Sequence, residues 1–240
     1  MAQVKPMLVL VPGLMCDAAS WGSIPAMLSG FECRVVDHGT ADSLAQMAEQ
    51  LLANAPERFA LAGHSMGGRV ALEVMRIAPE RVTHLGLFDT GHLPKPAGTA
   101  GDEEVGKRMA LLHIAREQGV RAMASEWVKG MVAPRRLRDG PLIEDILAMF
   151  ERKSADIFER QLRALIQRPD ATPVLQQIQV PTLVLCGELD AWSPPVQHQA
   201  IADCIPARPV VVAIPDCGHM AMQEQPEVVA QAMRQWLSAI

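Results

Sequence analysis

The sequence predicts an α/β fold, with a parallel sheet, helices on both of its faces and a helical insertion after the fourth strand. Three observations carry that expectation. Short, continuously apolar runs recur along the chain. Amphipathic stretches separate them. One long stretch, 92–178, has no strand signal.

The apolar runs lie at 7–11 (MLVLV), 33–37 (CRVVD), 59–62 (FALA), 84–88 (HLGLF), 182–186 (TLVLC) and 209–214 (PVVVAI). Each ends in or before a Gly, Asp or Pro. A strand with one wet face alternates apolar and polar residues. A run that is apolar throughout needs cover on both faces, as in a parallel sheet. The stretch 43–53 has apolar residues at 44, 47, 48, 51 and 52 behind Asp42 or Ser43 as N-cap, so it reads as a helix. Helical 66–78 follows the third run directly. In 226–240, Pro226 sits near the first turn and Val228, Val229, Ala232, Met233, Trp236 and Leu237 share one face. Strand and helix in alternation mean crossover connections.

Between the fourth and fifth runs the alternation stops. Gly and Pro make 91–106 a loop, and 103–119, 120–132 and 141–167 read as helices. The expected division is a core domain of 1–91 and 179–240 with a helical cap, or lid, of 92–178. Together this gives a six-stranded parallel sheet.

Composition narrows the function. The chain has 240 residues, 49% apolar and 20% charged, with a net charge of −5. That excludes a disordered chain. The balance of 22 basic against 27 acidic residues argues against nucleic acid as a partner. No run approaches the roughly 20 apolar residues of a membrane span. Aromatics are few, and 14 Met fill space in their place. The five cysteines, Cys16, Cys33, Cys186, Cys204 and Cys217, are odd in number and widely spaced. They fit neither a disulfide framework nor a zinc site, and reduced thiols in a cytoplasmic protein are expected. Lys5 and the apolar 7–15 imitate a short secretory signal. Pro12-Gly13 interrupts it, and no small-residue cleavage site follows.

The chemistry is concentrated in Gly63-His64-Ser65-Met66-Gly67. A G-x-S-x-G pattern arises about 0.04 times by chance at this length and composition. Here it also stands between a strand and a helix. A serine on so tight a turn has its hydroxyl held out of the sheet edge, with helix N–H groups beside it for a developing anion. A serine hydroxyl needs a base, and the base needs an orienting group. His219 follows the last strand in Pro215-Asp216-Cys217-Gly218-His219. Asp190 follows the fifth in Gly187-Glu188-Leu189-Asp190. Ser193-Pro194 supplies a helix cap of its own, which leaves Asp190 without a capping task. Asp89, after the fourth strand, is the alternative acid. His64 adjoins the serine and reads as packing or polar support. His92 is the other histidine at a strand's carboxyl end.

These motifs resemble the α/β-hydrolase superfamily, in its small, lid-bearing carboxylesterase- or lactonase-like branch. The order Ser65, Asp190, His219 matches that family's order of nucleophile, acid and histidine. The resemblance implies an α/β-hydrolase fold that lacks the family's usual N-terminal hairpin, with Pro12-Gly13 where His-Gly is common. It also implies an oxyanion hole from the backbone N–H of Met66 and that of Leu14, or alternatively Met15. Met15, Trp21, Trp127 and Met220 are candidate substrate contacts, with Met66 beside them. Cys16 and Cys217 fall in loops expected near the serine. Arg135, Arg136 and Arg138 read as a solvated basic face.

The expected activity is hydrolysis of a small, largely apolar carboxylic ester or lactone through an acyl-enzyme on Ser65. No metal or organic cofactor is implied. The same residues also serve carbon–carbon bond, thioester or amide hydrolysis, acyl transfer or perhydrolysis. A non-catalytic ligand receptor is the more remote alternative.

Overall fold

The computed structural model describes residues 5–238. Six strands, β1 (Met7–Val11), β2 (Glu32–Val35), β3 (Phe59–His64), β4 (Val82–Phe88), β5 (Thr182–Gly187) and β6 (Val211–Ile214), form one sheet in the order β2-β1-β3-β4-β5-β6. Every neighbouring pair is parallel. This is the α/β-hydrolase architecture with six parallel strands.

Continuous apolar strands are explained by two cores, one on each face. Within β1, Val9 and Val11 enter one apolar cluster, and Leu8 and Leu10 enter the other. Phe59 and Leu61 of β3 likewise oppose Ala60 and Ala62. Helices α2 (Leu44–Asn54), α3 (Met66–Ile77) and α9 (Pro195–Cys204) cover the first face. Helices α1 (Ile24–Met27) and α11 (Pro226–Leu237), with the one-turn α10 (Ala221–Glu224), cover the second. Edge strand β2 is only partly buried, which fits its mixed sequence.

Between β4 and β5 lie α4 (Thr99–Glu117), α5 (Val120–Trp127), α6 (Gly140–Glu151), α7 (Ala155–Ile166) and the single turn α8 (Thr172–Leu175). Helix α4 begins earlier than its sequence suggests, straight after Gly98 at φ 64°. The stretch read as one helix over 141–167 is two. Arg152–Ser154 interrupts it, and the Ser154 hydroxyl accepts from Ile157 N–H to start α7. None of the described helices is long and apolar enough to cross a membrane.

The chain leaves β1 toward β2 on one side and returns to β3 on the other. The crevice at such a reversal, at the carboxyl ends of the strands, is where open α/β sheets bind ligands. The loops after β1 and β3 both open there.

Candidate active site

Ser65 occupies the turn between β3 and α3, with φ 54° and ψ −115°. A non-glycine residue in that region is strained, by about 1–3 kcal/mol. The turn survives because the strand and helix cross too closely for side chains. A Cβ on Gly67 would overlap the Val11 carbonyl, and one on Gly63 the Gly67 carbonyl. Ser65 N–H donates to the Phe88 carbonyl at 2.9 Å, and its own carbonyl accepts from the Thr90 hydroxyl at 2.7 Å. The serine backbone is thus tied to the end of β4.

His219 lies in the loop between β6 and α10, with Nε2 2.9 Å from Ser65 Oγ. Its Nδ1 is 2.8 Å from Asp190 Oδ2. Asp190 sits in the loop after β5. Its Oδ1 accepts from the N–H groups of Trp192 and Ser193, each at 2.9 Å. The sequence alone suggests no local structural task for Asp190. In the structure one oxygen braces its own turn, and that leaves the other fixed toward His219. Burial alone would raise the Asp190 pKa. The His219 charge, its hydrogen bond and the two N–H donors outweigh burial and hold the carboxyl below its usual range.

His64 packs against the site from behind. Its ring is 5.1 Å from that of His219, and its Nε2 is 2.8 Å from the His219 carbonyl. Burial, with the nearby His219, pushes its pKa down to about 3, so it is neutral and donates from Nε2. Asp89 points elsewhere: its Oδ1 accepts from Gly187 N–H at 2.9 Å. His92 lines the cleft beside Arg69.

The loop after β1 closes against the serine. A Cβ on Gly13 would lie 3.3 Å from Ser65 Cβ and 3.0 Å from His64 Nδ1. Met15 N–H is taken by the Gln161 side chain of α7 at 2.7 Å, whereas Leu14 N–H has no acceptor among the described residues. Met66 N–H belongs to the first turn of α3, where no intrahelical acceptor exists. His38 anchors the loop from the far side, with Nε2 3.0 Å from the Pro12 carbonyl.

A cleft of about 860 Å³ opens above these groups. Trp127, Met220 and Met66 line it, as does Cys16, whose thiol burial pushes up to about 12. Two expected contacts are corrected. Trp21 is fully buried on the opposite face of the sheet, edge-on to Phe88 at 5.6 Å. Its 3-10 turn packs toward α10 and α6, and the ring drops into the second core. Met15 has φ 62°, and its side chain is fully buried in the first core, off the cleft surface. Cys217 is buried and does not line the cleft either. Of the basic group 135–138, Arg135 and Arg136 pair with Asp216 and Asp139.

Several contributors carry no local sequence signal. Trp192 stacks on Trp127 at 5.5 Å and meets His219 edge-on at 4.9 Å. Glu224 accepts from Gly218 and Ala133 N–H. Arg69, Arg108 and Arg168 also reach the cleft. Only Arg69 could have been suspected, since it stands one helical turn after the serine.

The model of the alpha/beta hydrolase family matches residues 8–232. The chain belongs to the alpha/beta hydrolase family. Its similarity to a dihydrolipoyllysine-residue acetyltransferase component of an acetoin cleaving system from Pseudomonas putida is 29% identity over 96% of this chain and 63% of that protein. The hydrolase chain therefore spans less than two thirds of that relative. It is 28% identical to a pimeloyl-[acyl-carrier protein] methyl ester esterase from Edwardsiella ictaluri, over 94% of this chain and 91% of the other. Among solved structures, a malate-bound thermophilic esterase from Thermogutta terrifontis superposes with a TM-score of 0.83 at 29% identity, covering 98% of this chain and 90% of that one.

Proposed function

We propose that this hydrolase cleaves small carboxylic esters or lactones through an acyl-enzyme on Ser65. The observation that carries the reading is the relay Ser65 Oγ to His219 Nε2, 2.9 Å, and His219 Nδ1 to Asp190 Oδ2, 2.8 Å. Both imidazole nitrogens are engaged. Asp190 accepts from Nδ1–H, so Nε2 carries the lone pair that faces the hydroxyl.

Ser65 Oγ attacks the carbonyl carbon as its proton passes to Nε2. The carbonyl oxygen becomes an oxyanion held by the N–H groups of Leu14 and Met66. Loss of one such donor typically costs about 10²–10³ in rate. His219 returns the proton to the departing alkoxide, or to the ring oxygen of an opened lactone. Water then attacks the acyl-enzyme by the same route, and Ser65 recovers its proton. The ionised Asp190 stabilises the imidazolium in both halves. The hydrocarbon part of the substrate lies against Trp127, Met220 and Leu162 of the cleft wall. Similarity to esterases over almost the whole chain supports hydrolysis of an ester.

The test is a panel of nitrophenyl esters and lactones with Ser65→Ala as control. The variant should lose several orders of magnitude in kcat. A fluorophosphonate should label the native protein at Ser65 alone. Turnover by Ser65→Ala near that of the native protein would remove the serine from the mechanism.

A further inference from the structure

The cleft has a charged end that ester hydrolysis does not require. Among its lining residues are four cations, Arg69, Lys107, Arg108 and Arg168, and one carboxylate, Glu104. The surplus runs against a chain whose net charge is −5. Glu104 is already spent. Arg168 grips both of its oxygens, at 2.6 and 2.7 Å, and Arg108 donates to Oε1 at 3.0 Å. These two arginines share one partner.

Arg69 has no carboxylate within ion-pair distance among the described residues. Among the described residues its side chain makes one hydrogen bond, to the Leu93 carbonyl at 2.9 Å. The guanidinium packs close to Gly91, where a Cβ would come within 2.9 Å of Nη2. Burial, followed by the like charges of Arg168 and Arg108, depresses its pKa, as expected of a cation short of counter-charge. The guanidinium keeps its proton all the same. Arg168 donates to the same Leu93 carbonyl at 3.3 Å, so loop 91–96 holds the two cations together.

Arg69 also stands one turn along α3 from the nucleophile: its N–H donates to the Ser65 carbonyl at 3.4 Å. One turn is about 5.4 Å of rise. Ser65 and Arg69 also line the same cleft, so a group bound at Arg69 can belong to a molecule whose carbonyl reaches Ser65. Glu104 already displays the chemistry that suits these forks, a planar carboxylate shared between guanidiniums.

We propose that the physiological substrate carries a free carboxylate a few bonds from the scissile carbonyl, bound by Arg69 with Arg108 and Arg168 behind it. This rests on the ester-cleaving reading above and names its substrate class. The carboxylate enters a site already short of anion, and the remaining carbon chain lies along the apolar wall.

The test pairs acid with neutral isostere. Nitrophenyl monoesters of succinic, glutaric and adipic acids are each compared with the same compound capped as a methyl ester. At one spacing at least, kcat/KM for the acid should exceed that for its capped form by about tenfold or more, the scale of a charge-assisted hydrogen bond. Arg69→Met should lower that ratio about 10- to 100-fold, mainly through KM, and Arg69→Lys should keep part of it. The ratio cancels any general damage to the enzyme. No acid preference at any spacing, or a preference that survives Arg69→Met, overturns the proposal. Calorimetry of monomethyl glutarate with Ser65→Ala reads the carboxylate site without turnover. Binding there should be lost in the Ser65→Ala/Arg69→Met double variant. If that binding holds while no ester turns over, the ester reading fails and the carboxylate site stands. If esters turn over with no preference for the acid, the ester reading stands and the carboxylate site fails. Inorganic phosphate competing more strongly than glutarate would make the ligand a phosphate and refute the carboxylate.

Discussion

Asp89 and Asp190 follow adjacent strands, and both are buried, yet their environments pull them in opposite directions. Hydrogen bonds and His219 hold Asp190 ionised. Burial, reinforced by the charge of Asp190, pushes Asp89 well above its ordinary range, and Gly187 N–H only partly offsets that. The folded protein therefore favours the protonated form of Asp89 more than the unfolded chain does. Unfolded, it ionises near pH 3.9. Above that pH, up to its raised folded value, the native state binds the extra proton, and Asp89 makes stability fall as pH rises. Asp89→Asn should remove this slope. Urea unfolding at pH 4 and pH 7 should show a smaller loss in the variant than in the native protein, and its ester turnover should stay within a few-fold. Asp190→Asn should lose about 10⁴ in kcat, because an amide there stabilises the wrong imidazole tautomer. The reverse ranking would make Asp89 the acid. The loop positions of Ser65, His219 and Asp190 were legible because each follows a strand's carboxyl end, which topology places at one rim. Trp21 and Met15 were not legible. The same rim loop carries them, but a 3-10 turn and a positive φ send their side chains inward.

The loop of His219 depends on an element too short to be noticed in sequence. Glu224 ends α10 and folds back under the loop. Its Oε1 accepts from Gly218 N–H at 2.9 Å and Met220 N–H at 3.4 Å, and its Oε2 accepts from Ala133 N–H at 2.8 Å. His219 N–H in turn donates to the Met131 carbonyl at 2.6 Å. Segment 131–133 and the histidine loop are thus one hydrogen-bonded unit. Gly218 permits this, since a Cβ there would come within 2.6 Å of Ala133 N. Removing the carboxylate leaves buried N–H groups without acceptors, at about 1–3 kcal/mol each. Glu224→Ala should lower the melting temperature by several degrees and ester kcat by at least tenfold. Glu224→Gln keeps one acceptor oxygen and should lose less. Native turnover in Glu224→Ala would mean that the loop holds itself. The strands and the long helices were legible in the sequence because hydrophobic periodicity is a local property. The break at Arg152–Ser154 was missed because the apolar pattern continues across it and only the Ser154 cap marks it. Glu224 was missed because its partners are backbone groups, one of them 91 residues away.

At the scale of the molecule, two forces join the helices of 99–175 to the strands, and their sizes decide how the protein unfolds. Ion pairs bridge the two: Arg152 to Asp17 at 2.6 Å, Lys153 to Asp37 at 3.1 Å and Arg163 to Asp42 at 3.0 Å. One or both partners in each pair is half-exposed or more, so each is worth about 0–1 kcal/mol and is screened by salt. Apolar burial is larger. One cluster runs without interruption from Val11, Met66 and Val70 to Met123, Ile146, Phe150, Phe158 and Leu162. Each large side chain buried there contributes about 1.5–3 kcal/mol. The helices cannot leave without exposing the first core. Urea unfolding should therefore be a single transition, with the same midpoint by far-UV circular dichroism and by tryptophan fluorescence. Trp127 reports from α5, and Trp21 from beneath the sheet. Phe replacement of either, one at a time, should leave the other reporting that common midpoint. Adding 0.5 M sodium chloride should leave the transitions coincident, because the screened pairs are the weaker link. An earlier fluorescence transition that persists in Trp21→Phe and vanishes in Trp127→Phe would show the helices of 99–175 unfolding by themselves, with the bridging ion pairs rather than the shared core holding them in place.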